Sequence, residues 1–570
     1  MDYDSRHRFE VIFASYGRLK PCSRVKTMNT TLFRVSLAFA LLVCAVQSFA
    51  QKKDTGIGNL AADTELVETR TEIPHLKAAA PFVVKDNTII VELSQYAGYA
   101  GLVAANGGLE PSENSYFFKK FGFKVKLTLS EEESWSALNS GRIAASATTT
   151  DVLAVYGKQF QVIVPAQIGY SRGADGIVVR SDIKRINQLK GKVLSCSQFT
   201  ESDFFIRYLA QEAGIGVNML ADLSSPPDAD KINLVYCSDG FGAGDIFLRD
   251  LKAGRNRLAG CVTWAPKTSE VADGSDGKAT IITTNRNLLI VADILIVNKG
   301  FAQAHQDMVA GLTEGLLEGN RMVRDDQEKY LDLIAKAFST KDGKWDRAQA
   351  KEELAKVHLA NLPENLAFFN GSIDSAGSFG GIFQSANLAY GAEIIKNPAD
   401  GDRFIDARFL DALDKSGKFA GQKIAIAPIK TAGASSTVEG DPLLTKDIRF
   451  YFEPNKSNLD MNNKDNVSNL ESINKMLKVS PGSSVLLRGH VDNAMIATFR
   501  QQGGEQLVRT RALGAMQLSK DRATEVKNKL MELYKVSPDR LDSIGRGWEE
   551  PAGTDSDKNR RVEVQWFTLE

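Results

Sequence analysis

The chain has 570 residues, 43% of them hydrophobic and 25% charged, a composition of soluble globular protein with enough length for several domains. Lys plus Arg and Asp plus Glu number 70 each, so the formal net charge is zero and no long-range field favours nucleic acid. The histidines that follow residue 50 (His75, His305, His358 and His490) are too scattered for a zinc site. Residues Met28 to Ala50 read as a secretory signal, with Arg34, an apolar run from Val35 to Val46, and Ser48-Phe49-Ala50 as the cleavage site. The run falls short of the roughly 20 residues of a membrane-crossing helix. Cys44 follows the bulky Val43, which disfavours lipidation. The basic stretch before Met28 points to translation starting at Met28. Export leaves Cys196, Cys237 and Cys261, an odd count that allows one disulfide and one free thiol, with Cys237 and Cys261 as the pair to test.

Past a polar segment, Gln51 to Lys85, short β-branched runs alternate with helical patterns. The predicted strands are Thr88 to Leu93, Phe123 to Leu129, Phe160 to Pro165, Gly176 to Val179, Lys192 to Ser195 and Ile232 to Tyr236. Ser130 and Glu133 form a capping box ahead of a helix at Trp135. This alternation predicts parallel α/β layers. A helix ending in glycine and leading into a strand occurs twice, at Ala137 to Ser146 and again from Asp250 through Gly254 to Pro266. Two such halves make a two-lobed clamp with a ligand cleft between them.

From Asp86 to about Gly421 the chain resembles periplasmic solute-binding proteins of the nitrate, sulfonate and taurine type. The motifs that carry the resemblance are Gln95-Tyr96-Ala97-Gly98-Tyr99, Leu189-Lys190-Gly191-Lys192-Val193, Tyr208 to Ile215, and Ala292 to Val297. In that family the ligand is held by loops at strand ends and helix starts, where backbone N–H groups and hydroxyls meet an anion. By position, the resemblance implies ligand-binding roles for Ser94, Gln95 and Tyr96, for Thr148, Thr149 and Thr150, for Ser197 and Thr200, and for Trp264. Ser94, Thr150 and Thr200 are equally compatible with caps and turns, Tyr96 and Trp264 with core packing. Gly240 to Asp245 lacks the third glycine and the downstream acid of a dinucleotide fingerprint. Asp175, Asp203, Asp239 and Asp293 are scattered without a nucleophile and base, so no catalysis, cofactor or metal is expected.

Ile424 to Asp441 has the composition of a linker, with Pro428, Gly433 and Gly440. Beyond it, Asp447 to Phe452 alternates as a strand, Lys464 to Leu477 is an amphipathic helix, and Ser483 to Arg488 is a second strand. A helix over Lys520 to Leu533 and strands at Arg540 to Ile544 and Arg561 to Trp566 complete the unit. The series Gly489-His490-Val491-Asp492, Leu518 to Ala523, Gly545-Arg546-Gly547 and Asn559 to Glu563 resembles the OmpA-like peptidoglycan-binding domain. That resemblance implies an α+β βαβαβ sandwich in which Asp492 and Arg522 bind the diaminopimelate end of wall peptide. A carboxylate for the ammonium and a guanidinium fork for the carboxylate suit a zwitterion. The alternatives are a turn of Asp492 with Asn493 and an ion pair of Arg522 with Glu525. About fifteen extra residues separate Asp492 from Arg522, including Arg500, Arg509 and Arg511. They form a loop, add wall contacts, or shield the pocket. Asn559 and Arg560 are read as structural.

The expectation is an α/β chain: a two-lobed periplasmic-binding-protein fold followed by an OmpA-like domain. Its partners are peptidoglycan, a small solute such as an anion, and an inner-membrane ABC permease, with no nucleic acid. It would act in the periplasm, without catalysis. The alternatives are a wall-tethered structural or signalling protein whose α/β unit binds another protein, and an enzyme on the same fold.

Overall fold

The computed structural model describes residues 69–130, 134–340, 344–372, 377–426, 442–452 and 456–567. The expected signal segment, Glu133 of the capping box and nearly all of the expected linker lie outside the described residues. Among the described residues no helix is long and apolar enough to cross a membrane.

Strands β1 (Thr88–Leu93), β2 (Lys124–Leu129), β3 (Ala145–Thr149) and β4 (Val162–Ser171) begin one lobe. The chain then crosses to a second lobe, with β5 (Asp175–Arg180), β6 (Val193–Ser197), β7 (Gly216–Met219), β8 (Lys231–Cys237), β9 (Gly260–Trp264) and β10 (Ala279–Thr284). It returns to the first lobe for β11 (Ala292–Asn298) and β12 (Val357–Leu359). The first sheet has the order β12-β4-β11-β3-β1-β2 and the second β10-β5-β9-β6-β8-β7.

These orders share one plan. In each lobe a first strand (β1, β6) lies between parallel neighbours (β2 and β3, β8 and β9). The strand that has just crossed from the other lobe, β11 or β5, then inserts antiparallel beside the third. The expectation of purely parallel layers is thereby corrected, because each crossing strand enters against the direction of its neighbours. The result is the two-lobed periplasmic-binding-protein architecture. Helix Phe379–Ile394 braces both lobes, with Tyr390 donating to the Thr200 carbonyl at 3.3 Å and its ring 6.2 Å from that of Phe199.

The described part of the expected polar segment does not stand apart. Thr69 and Arg70 bond the second lobe at Leu220 and Gln198, while Leu76 and Ala80 bond the first at Gln159 and Asn139. The repeated glycine-to-strand pattern corresponds to the equivalent strands β3 and β9, and both Gly141 (φ +73°) and Gly254 (φ +65°) are left-handed.

The C-terminal unit holds β13 (Leu444–Ile448), β14 (Ser484–Gly489), β15 (Leu541–Gly545) and β16 (Val562–Phe567) in the order β13-β16-β14-β15, with helices Lys464–Val479 and Ile496–Tyr534. The four expected strands form one sheet, in which the last, β16, inserts antiparallel between β13 and β14. The first strand also begins earlier than its alternation suggested, since Leu444 and Ile448 face the core and Leu444 pairs with Trp566. This unit touches the second lobe. Asn187 and the Thr445 backbone exchange bonds of 2.9 and 2.7 Å, and Ile186 N–H donates to Leu443 at 2.9 Å.

Cys196, Cys237 and Cys261 are buried, and none of the three forms a disulfide. β6 lies between β8 and β9, placing Cys237 and Cys261 two strand spacings apart. That is about 9.5 Å, beyond the roughly 7 Å limit for a disulfide.

A Cβ on Gly489 would meet the Ser519 carbonyl oxygen at 2.0 Å, so the helix packs on β14 only because the side chain is absent. Gly489→Ala is expected to destabilise the C-terminal unit by about 1–3 kcal/mol in urea unfolding.

Candidate functional site

A cleft opens where the strand ends of the two lobes face one another. Of the nine positions expected to hold ligand, Ser94, Tyr96, Thr148, Thr149, Ser197, Thr200 and Trp264 line it. Gln95 and Thr150 do not. Gln95 sits between two cleft-facing neighbours and turns away to donate to the Phe338 carbonyl at 2.6 Å. Thr150 starts helix Thr150–Tyr156, fully buried, with its hydroxyl 3.3 Å from the Ala292 carbonyl.

Local structure explains the lining. Phe199 adopts φ +64°, a strained conformation held by its N–H donating to buried Asp203 at 3.1 Å. Asp203 is fixed in turn by Arg207 at 2.7 Å. This turn presents Ser197 and Thr200. Trp264 shows one face to the cleft and rests the other against Phe241, ring centroids 5.3 Å apart. A Cβ on Gly240 would lie 2.1 Å from the Trp264 ring, so the glycine run is the close-packed first turn of helix Gly240–Lys252.

The cleft also recruits residues the sequence did not single out. Trp135, Tyr99, Ser146 and Ser171 line it, together with four carboxyl groups: Glu92, Asp175, Glu201 and Asp293. Asp175 opens β5 and Asp293 lies at the start of β11, so each chain crossing contributes one. Asp175 accepts from the Asn285 side-chain amide at 3.0 Å, and Asp293 from the Tyr99 hydroxyl at 3.3 Å. Asp239 and Asp203, by contrast, serve as a helix cap and an ion-pair partner.

Burial raises all of the deep carboxyls. Asp175 is pushed up to about 6, and Asp293 well above the carboxylate range, by desolvation and then by Asp175. Asp151, buried behind the cleft, is pushed up to about 7 by desolvation. Glu92 rises for the same reason, although it accepts from Ser134 N–H. The buried Thr148 hydroxyl and Trp135 indole N–H have no hydrogen-bond partner. None of the described lining residues is Lys, Arg or His, so no cationic side chain stands beside these carboxyls in the described walls.

In the C-terminal unit, Gly489, His490 and Val491 are pinned by bonds to Arg546, Arg561 and Gly547 at 2.8 to 2.9 Å. Asp492, which follows, spends one oxygen on its own loop, accepting from Ala494 N–H at 2.6 Å. Arg522 is half-buried, with its guanidinium 4.9 Å from the centre of the Phe452 ring and its Nε 3.4 Å from the Lys456 carbonyl. It pairs with neither Asp492 nor Glu525. Desolvation, with Arg560 beside it, lowers its pKa. Asn559, buried, ties the last turn to Asn493 at 3.4 Å and to Ala552 and Gly553, matching its structural reading. The extra residues form the first part of helix Ile496–Tyr534, broken at Gly503 and Gly504. Phe499 packs 6.2 Å from Trp548, the Arg511 guanidinium lies 5.6 Å from the centre of the Phe499 ring, and Arg500 pairs with Glu505.

Residues 451–565 match the OmpA family, and the C-terminal unit is an OmpA domain. The outer membrane protein Omp38 of Acinetobacter baumannii is 28% identical over 151 residues, 25% of this chain and 37% of that protein, so the chain spans little over a third of that relative. Among solved structures, the alkanesulfonate-binding protein SsuA from Xanthomonas axonopodis, bound to MOPS, is 14% identical with a TM-score of 0.40, covering 57% of this chain and 99% of that one. The aliphatic sulphonate-binding SsuA of Escherichia coli is 15% identical at TM-score 0.41, covering 57% and 100%. The nitrate-binding NrtA of Synechocystis is 12% identical at 0.40, covering 58% and 89%.

Asn285 also accepts from the Gly173 and Asp175 N–H groups at 2.8 and 3.2 Å, so its amide joins the two crossings. Asn285→Ala strands those buried donors and is expected to cost about 1–3 kcal/mol, measured by chemical unfolding of the full chain.

Proposed function

We propose that the protein is a periplasmic solute-binding protein held noncovalently to peptidoglycan by its OmpA domain, without catalysis of its own. The observation that carries this reading is the inter-lobe cleft, where the buried Thr148 hydroxyl, the Trp135 indole N–H and one Asp293 carboxyl oxygen lack hydrogen-bond partners around one space. Such groups are stabilised by a ligand that supplies the missing bonds. A structural unit that only docked another protein would have no need of them. In this reading the anchored lobes deliver solute to an inner-membrane ABC permease, and the Met28 to Ala50 segment directs export.

Wall binding rests on Asp492 and Arg522. Among the described residues no carboxylate pairs with Arg522, whose charge is partly desolvated, which suits capture of one from wall peptide. Asp492 keeps one oxygen for its turn, so its role is to present the other to the ammonium. In co-sedimentation with purified diaminopimelate-type peptidoglycan, Asp492→Ala and Arg522→Ala are each expected to lower the bound fraction at least about tenfold in affinity, with unchanged melting. Retained binding by both variants contradicts the assignment.

A further inference from the structure

Resting on the solute-binding reading, we infer that the cleft takes a small organic cation, an amine or quaternary ammonium, held between Asp175 and Asp293 and walled by aromatic rings. Several independent features of the cleft agree on this class. Asp293 is 2% exposed and Asp175 3%, one from each lobe, so both are withdrawn from bulk water yet open into the same space. Among the described residues no lysine, arginine or histidine lines that space to neutralise them. A buried carboxylate lacking a cation is costly, and a ligand carrying the positive charge removes the cost. Tyr96, Tyr99, Trp135 and Trp264 supply π faces or edges around the same volume, the surroundings in which ammonium ions are stabilised. The Thr148 hydroxyl and Trp135 N–H remain for a polar group elsewhere on the ligand.

The same geometry sets a pH dependence. Asp293 is faced by Asp175, Asp151, Tyr99 and Tyr96, and Asp175 by Asn285 and Ser171. With Asp175 at about 6 and Asp293 higher, the unliganded cleft holds protons that a cation must displace. Cation affinity therefore rises as pH is raised through about 6 and is lost below it. An anion would show the opposite trend.

The test is calorimetry on the full chain. One panel contains cations (tetramethylammonium, choline, putrescine, agmatine), a second the neutral choline isostere 3,3-dimethylbutan-1-ol, and a third nitrate, methanesulfonate and taurine. The expected result is binding of a cation with proton release, at least tenfold weaker at pH 5 than at pH 8. Asp293→Asn and Asp175→Asn are each expected to weaken it at least tenfold while the melting temperature stays level or rises. Preferential binding of the neutral or third-panel compounds overturns the cation class but keeps the solute-binding reading. No binding in any panel overturns both. Asp175→Glu, which keeps the charge, is expected to retain most of the affinity, which separates loss of charge from loss of fold.

Discussion

The two chain crossings, from Ser171 to Asp175 and from Thr284 to Ala292, are joined by one side-chain amide. Asn285 accepts from two backbone N–H groups of the first crossing and donates to the Asp175 carboxylate, while its own N–H donates to the Asp175 carbonyl at 2.9 Å. The rest of the architecture depends on that junction. It fixes where β5 and β11 begin, and with them the positions of Asp175 and Asp293. Because each crossing strand also enters its sheet antiparallel, the crossings are locked into both cores rather than looped across the gap.

This placement carries an electrostatic tension. Carboxyls taken out of water favour their neutral form, and Asp175 raises Asp293 further. The surrounding fold tolerates it because the structural network next door is paired: Asp203 with Arg207, and Arg207 over the Tyr390 ring at 5.0 Å. One acidic group is compensated by an arginine inside the protein, whereas Asp175 and Asp293 open into the cleft. The braces across the lobes, helix Phe379–Ile394 and residues 69–85, hold the two walls in register around that gap.

Much of this was legible in the sequence, and the reasons are local. Thr88–Leu93 reads as a strand because its β-branched run alternates, with Ile89 and Val91 buried and Thr88 and Ile90 half-buried. The glycines at 141 and 254 mark helix ends through their left-handed backbones. Ser94 and Tyr96 flank Gln95 in one short loop, and resemblance alone could not tell which side chains turn inward; the loop geometry turns Gln95 to Phe338. Asp175 and Asp293 were visible only as isolated acids, since their proximity exists only after both crossings form. The Cys237 and Cys261 pairing failed because sequence does not disclose that β6 lies between their strands. In the C-terminal unit the motifs located Asp492 and Arg522, while the turn that occupies one Asp492 oxygen required the fold.

The most direct test of a ligand cleft built on the crossings is native mass spectrometry of the full chain purified from cells without refolding. The account predicts a stoichiometric small-molecule adduct in the wild-type protein that is absent from the Asp293→Asn variant. A protein with no adduct that also binds none of the added solutes, or an adduct retained unchanged in that variant, would contradict it.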